Sequence, residues 1–141
     1  MKKARPYEPF DHPSDIGLRA RGESLEELFE NAAQGMIELM VNPAHVEDRG
    51  ARPIEAEGDD TEGLLVAWLS EILYAFDAER FAPACAEVLS LGDGSVRGRL
   101  RGEELSSARH EFRSMIKAVT WHNLKVEKTP AGYQVSIVFD V

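Results

Sequence analysis

The chain has 141 residues, of which 43% are hydrophobic and 29% charged, so it is long enough for one domain with a buried core. Its formal net charge of −9 opposes direct non-specific binding to a phosphate backbone, which requires clustered Lys and Arg. No apolar run reaches the roughly 18 residues of a membrane span, and no signal-peptide core is present. The composition predicts one cytoplasmic domain over residues 1–141, with no membrane partner and with RNA reached only indirectly.

The N-terminal segment predicts two strands. Pro6 and Pro9 disfavour a helix and suit an edge strand. After a predicted turn at residues 13 and 14, every second residue is apolar, as in a half-buried strand: Ile16, Leu18 and Ala20. Asp15 has the opposite parity, so we expect its side chain to point away from the core.

Two amphipathic helices are predicted next. Ser24 opens "SLEE", in which its hydroxyl can cap the first turn while Glu27 reaches back. The apolar positions of this helix recur every three or four residues: Leu25, Phe29, Ala32, Ala33, Met36 and Met40. The second helix begins near "DDTEG", with Asp59 or Asp60 as its cap, and its buried side is marked by Leu65, Trp68, Leu69, Ile72 and Phe76.

The rest of the chain predicts strands and tight hairpins. Strand patterns occur in "RPIEAEG", "AEVLSLG", "SVRGRLRG", "IKAVTWHNLKVE" and "YQVSIVFDV". Hairpins are expected at residues 92–94 and 129–132, and "ELSSARHEFRS" is the predicted irregular loop. Two helices on one face of a mostly antiparallel sheet give an α+β two-layer sandwich.

The last strand suggests a group of carboxylates. Asp140 has the parity that points out of the core, as Asp15 does in its own strand. If the two strands pair antiparallel, these side chains meet with Cβ atoms about 5 Å apart, beside the terminal carboxylate of Val141. Close carboxylates repel one another, and oxygen ligands favour Ca²⁺, Mg²⁺ or Mn²⁺. The spacing alone leaves open that Asp15 is a turn residue and Asp140 a solvated chain end.

Four segments together resemble the archease family over nearly the whole chain: "DHPSDIGLRARGESLEELFENAAQGMIELM", "LLVAWLSEILY", "RHEFRSMIKAVTWHNLKV" and "VFDV". Members of that family typically carry His-Thr-Ala-Asp-Ile-Gly, a Ser-Leu-Glu-Glu helix, a "KAVTYH" strand and an acidic C-terminus. This chain departs from the pattern at Pro13, Ser14 and Trp121.

The resemblance implies an accessory protein with no catalytic residues of its own. It would activate the GTP-dependent RNA ligase that seals tRNA exon halves and repairs RNA, by promoting ligase guanylylation and multiple turnover. The GTP would belong to the ligase. The family's metal ligands correspond to Asp15, Asp140 and the terminal carboxylate of Val141, with calcium among the candidate ions.

Other polar residues have two interpretations each. His12 can orient Asp15 or be a turn histidine, and the parity of His122 favours a place near the core. A basic stretch can contact the ligase or a phosphate, or can be a solvated strand edge: Arg109, His110, Arg113 and Lys117.

Two alternative functions remain open. The first is a stand-alone metal-dependent phosphoesterase, which the sequence disfavours because no nucleophile or general base accompanies the acids except His12. The second is a chaperone-like adaptor for RNA-modifying enzymes. A phosphate-binding loop is not predicted, because "GDGSVRG" lacks the Lys-Ser/Thr end of that motif.

Overall fold

The computed structural model describes residues 5–12 and 15–141; the turn predicted at residues 13 and 14 and the side chain of His12 lie outside this description. The helices are α1 (Leu25–Met40) and α2 (Thr61–Asp77), with a 3₁₀ turn at Pro43–His45. The strands are β1 (Tyr7–His12), β2 (Asp15–Gly22), β3 (Gly50–Glu57), β4 (Phe81–Gly92), β5 (Ser95–Glu104), β6 (Ala118–Val119), β7 (Glu127–Thr129) and β8 (Gly132–Asp140). The predicted α+β class is confirmed.

Both helices begin at the predicted caps. Ser24 Oγ accepts a hydrogen bond from the backbone N–H of Glu27 at 3.1 Å, and Asp60 Oδ1 accepts one from Gly63 at 2.7 Å. These side chains satisfy N–H groups that have no partner within the helix. Of the two aspartates considered for α2, Asp60 is therefore the cap. No helix in the described ranges is both long and apolar enough to span a membrane.

Among the described residues, the strands form two antiparallel sheets. One has the order β1-β2-β8-β6 with β7 also paired to β8, and the other has the order β3-β5-β4. Helix α1 packs against β2 and β4 and so contacts both sheets, while α2 packs chiefly on β3. Alternation along a strand shows which face is buried, but it does not show which strands are neighbours. The division into two sheets was therefore not predicted.

The prediction of a strand over "IKAVTWHNLKVE" is largely wrong. Within it, only Ala118–Val119 and the final Glu127, the first residue of β7, lie in strands. The pairing with β8 ends at Thr120, whose N–H and Oγ1 both donate to Val138 O, at 3.0 and 2.9 Å. Asn123 then takes a left-handed conformation with φ 51°, and the chain turns away from the sheet. His122 is consequently exposed, which corrects the predicted position near the core.

Two other boundaries follow from local geometry. Strand β4 begins at Phe81, ahead of the predicted start, and shifts its register between Pro83 and Cys85. The early start was not predicted because a proline within a segment argues against a strand. The hairpin predicted at residues 92–94 is confirmed, because Asp93 and Gly94 both have positive φ, at 53° and 75°. That combination is the requirement of a type I′ turn.

Candidate metal centre

The start of β2 meets the end of β8. Asp15 is the register partner of Asp140, and on the outer sides of this pair lie His12 in β1 and Ala118 in β6. Directly opposite side chains in an antiparallel pair lie on the same face, with Cβ atoms about 5 Å apart. The fold thus places two carboxylates side by side at one end of the larger sheet, where the next residue is Val141.

The backbone beside Asp140 is held from its other side. Lys117 N–H donates to Asp140 O at 2.7 Å, immediately before the β6 pairing begins. The loop that delivers Lys117 is itself bound to the end of α1, because Arg113 N–H donates to Met40 O at 2.9 Å and Ser114 N–H to Leu39 O at 2.8 Å. The end of β8 is therefore ordered by tertiary hydrogen bonds, whereas chain ends usually fray.

The surface next to the two aspartates is apolar. The neighbouring cross-strand positions on the same face are Phe10, Gly17 and Val138, and Val138 is only 5% exposed. A Cβ on Gly17 would lie 2.3 Å from ring atoms of Phe10, so the glycine lets the aromatic ring lie across β2. The ring therefore lies on the same face as the two carboxylates, two positions along the strands from them.

Arg19, a cation on the same face of the sheet, is bound by other groups. The Arg19 guanidinium lies 5.4 Å from the centroid of the Phe10 ring and pairs with Glu8 at 3.1 Å. Across residues 5–12 and 15–141, no Lys, Arg or His forms an ion pair with Asp140 or with the Val141 carboxylate. Asp15 is half-buried and does have a polar partner.

The donor set fits a hard divalent cation. The Asp15 and Asp140 side chains and the Val141 carboxylate offer only oxygen atoms, which suits Ca²⁺, Mg²⁺ or Mn²⁺ better than zinc or copper. Within the described part of the chain, no three His, Cys, Asp or Glu side chains cluster as metal ligands. The third acidic group of this centre would come from the chain terminus, and its use as a ligand stays a prediction.

The predicted basic stretch is divided between different places. Arg109 and His110 do not lie on a solvated strand edge: both bind the carboxylate of Glu103, whose side chain is 2% exposed. Arg109 Nη2 lies 2.6 Å from Glu103 Oε1, and His110 Nε2 lies 2.9 Å from Oε2. Arg113 binds Glu38 O at 3.0 Å. Only Lys117 is adjacent to the candidate centre.

Glu103 was missed by sequence reasoning. His110 Nδ1 accepts a hydrogen bond from Ser106 N–H at 2.9 Å, so Nε2 carries the proton and donates to Glu103. The hydrogen bonds from Arg109 and His110, with a further one from the backbone of Glu47, lower the pKa of the Glu103 carboxyl to about 2. Glu103 belongs to an ordinary strand pattern, and no local signal marks it as the centre of a buried ionic cluster.

Comparisons with known proteins converge on one family. Residues 7–141 match the model of the Archease protein family. The protein archease of Pyrococcus furiosus is 36% identical over 141 residues, which are 97% of this chain and 99% of that protein. The solution structure of Methanobacterium thermoautotrophicum protein 1598 has a TM-score of 0.81 and 31% identity, covering 96% of this chain and 99% of that one.

A further structure matches at the level of the fold. It is the crystal structure of an archease from Thermotoga maritima, described there as a possible chaperone, with a TM-score of 0.68 and 22% identity. The alignment covers 100% of both chains. The arrangement of helices and sheets is therefore shared over the full length of the two proteins.

Proposed function

Since the chain belongs to the archease family, we propose that it is a metal-binding, non-catalytic activator of a GTP-dependent RNA ligase. The ligase holds the GTP and carries out the chemistry. This protein binds the ligase, promotes its guanylylation and allows repeated turnover in tRNA splicing and RNA repair. Its contact with RNA is indirect, which agrees with a net charge of −9.

The pairing of Asp15 with Asp140 is the observation that carries this proposal. Two carboxylates at opposite positions repel each other unless a proton or a cation neutralises them. Asp140 has no ion pair within the described residues, and the Val141 carboxylate follows it directly. A divalent cation relieves the repulsion of all three groups at once.

The residues of this chain hold and orient the ion. Asp15 and Asp140 are fixed by the strand register, and Phe10 covers the adjacent part of the sheet. A bound divalent cation supplies positive charge that offsets phosphate oxygens. Because Ca²⁺ takes six to eight oxygen ligands, three carboxylates leave positions open for water or for groups of the ligase.

The direct test is ligase turnover at limiting divalent metal. Three variants change the centre: Asp15→Asn, Asp140→Asn, and a chain extended by Gly-Ser after Val141. We expect each to reduce stimulation of the ligase about tenfold or more, because loss of even an indirect metal contact costs 10- to 100-fold in affinity.

The matched control is Asp11→Asn. Asp11 is an exposed carboxylate on β1 whose register partner is Ile16, so it lies on the opposite face of the same sheet. This control should stimulate like the unmodified chain. Full stimulation by Asp15→Asn and Asp140→Asn would rule out the proposal, and so would hydrolysis of nucleotides by the purified protein without a ligase.

A further inference from the structure

Exposed apolar side chains lie beside the end of β8 and along its edge strand β6. Met115, Trp121 and Val141 are 79%, 60% and 38% exposed, and they are half of the six large hydrophobic side chains that are exposed in the described part of the chain. Ala118, the β6 residue opposite Asp140, is exposed as well. Met115, Ala118, Trp121 and Val141 together are called the β6 edge surface.

Backbone hydrogen bonds hold this surface next to the candidate metal centre. Lys117 N–H donates to Asp140 O at 2.7 Å, and Thr120 N–H donates to a carbonyl of β8 at 3.0 Å. Met115 lies two residues before Lys117, so their Cα atoms are at most about 7 Å apart, and Trp121 directly follows Thr120. Met115 and Trp121 therefore lie on either side of the short strand that pairs with the end of β8.

Negative charge is in excess at this end of the sheet. Asp140 and the Val141 carboxylate form no ion pair among the described residues, and the adjacent ammonium group of Lys117 forms none either. Two carboxylates thus outnumber one ammonium group even before Asp15 is counted. Because complementary charge favours association, this surface suits a partner whose own surface is positively charged.

A bound ion alone does not explain the apolar part of the surface. A single exposed apolar side chain is ordinary on a protein, but Met and Trp are enriched in protein interfaces, where a few buried anchors contribute most of the binding energy. Here they adjoin carboxylates that leave ligand positions of a hard cation open. A partner protein seated on Met115 and Trp121 brings its own groups to those positions.

We propose that the β6 edge surface is the place where the RNA ligase docks, with Met115 and Trp121 as its apolar anchors; this inference rests on the proposed function. An enzyme that binds RNA and a nucleotide needs positive charge for their phosphates, and this charge complements the negative end of the sheet. The anchors determine the affinity of the complex, whereas the carboxylates and their ion act on the ligase after the complex has formed. An experiment can therefore separate the two roles.

The experiment titrates this protein into the purified GTP-dependent RNA ligase of the same organism and measures RNA joining, at a divalent-metal concentration that saturates the unmodified chain. The test variants are Met115→Ser and Trp121→Ser. The matched control is Leu89→Ser, because Leu89 is 62% exposed but lies on β4 of the smaller sheet. Calorimetric titration with Ca²⁺ measures the metal affinity of each variant.

Met115→Ser and Trp121→Ser should each raise the concentration needed for half-maximal stimulation about tenfold or more, as loss of an interface anchor does. Maximal stimulation and Ca²⁺ affinity should stay unchanged, and Leu89→Ser should behave like the unmodified chain. The docking surface is overturned if neither test variant raises that concentration, if Leu89→Ser raises it equally, or if both test variants bind Ca²⁺ more weakly.

Asp140→Asn distinguishes this inference from the proposed function. It should lower the maximal stimulation of the ligase, because the complex still forms but lacks a metal ligand. Full stimulation by Asp140→Asn would contradict the metal-binding role and leave the docking result to stand.

Discussion

The ring of Phe10 lies across Gly17, the residue two positions beyond the first aspartate of the candidate centre. A methyl group on Gly17 would fall 2.3 Å from the ring, which is far inside van der Waals contact. Glycine at position 17 therefore has a structural reason in this chain: a larger residue would prevent the ring from covering β2 at that position. This contact links the packing of the outer sheet face to the geometry of the carboxylates.

We predict that Gly17→Ala displaces Phe10 and destabilises the fold by about 1–3 kcal/mol, the usual effect of overpacking. Metal affinity should fall with it, because displacement of Phe10 disturbs the strand that positions Asp15. Urea unfolding measures the first effect, and calorimetric titration with Ca²⁺ the second. Gly50→Ala is the control, since an added Cβ there meets nothing within 4 Å. Equal effects of the two alanine substitutions would show that the contact with Phe10 does not account for the loss of stability.

Removal of one carboxylate should affect stability in opposite directions with and without metal. In EDTA, Asp140→Asn relieves repulsion with Asp15, so we expect the variant to melt at the same temperature as the unmodified chain or above it. With Ca²⁺ at 100 times its Kd, the unmodified chain gains about 2.7 kcal/mol, and the variant gains little. Thermal unfolding in EDTA and in Ca²⁺ gives both values. An equal Ca²⁺ response in the two proteins would contradict a site at Asp140.

The Glu103 cluster predicts a defined pH dependence. The pKa of Glu103 falls from 4.5 to about 2 in the folded protein, mainly through its hydrogen bonds from Arg109 and His110. A depressed pKa in the folded state means that the stabilisation is fully present above pH 4.5 and is lost as the pH falls through the folded value near 2. Glu103→Gln should therefore destabilise the protein clearly at pH 7, and by progressively less between pH 4.5 and pH 2.

Denaturant unfolding at several pH values measures this difference. Glu55→Gln serves as the control, because Glu55 forms an ion pair with Arg97 in which both side chains are more than two-thirds exposed. Exposed pairs contribute little to stability. A Glu103→Gln effect that does not change with pH would show that shape, not charge, determines the contribution of Glu103.

The helix caps give a smaller and independent prediction. Asp60→Ala should cost about 1 kcal/mol by removing the acceptor for Gly63 N–H. Asp59→Ala should cost less, because its neighbour holds the capping position. Urea unfolding of the two variants compares them directly, and a larger loss for Asp59 would mean that the cap is misassigned.

Much of the fold was predictable because short-range chemistry determines it. The capping residues and the hairpin turns are encoded within a few positions, and family membership, predicted from segments spread along the chain, is confirmed by the match over residues 7–141. The opposition of Asp15 and Asp140 was expected only on condition that their strands paired. The parity of a residue within its strand determines the face on which its side chain lies. Which strands pair depends on packing between segments that are far apart in the sequence.

The failures have the same physical origin. The segment after Val119 alternates like a strand, yet the pairing with β8 ends at Thr120, and Asn123 then turns the chain with a positive φ of 51°. His110 looks like a member of an exposed basic stretch but is buried against Glu103, seven residues earlier in the chain. Neither a helical nor a strand period predicts a contact at this spacing across an irregular loop. The division into two sheets likewise depends on contacts between distant segments.

The most direct test of the central claim is to locate a bound ion in the protein with an untagged C-terminus. Mn²⁺ added at substoichiometric concentration broadens the amide NMR signals of nearby residues. We predict that broadening is strongest at Asp15, Ile16, Phe139, Asp140 and Val141, and that Asp15→Asn removes it. Broadening centred on other acidic residues, or unchanged by Asp15→Asn, would contradict a metal centre formed by the paired ends of β2 and β8.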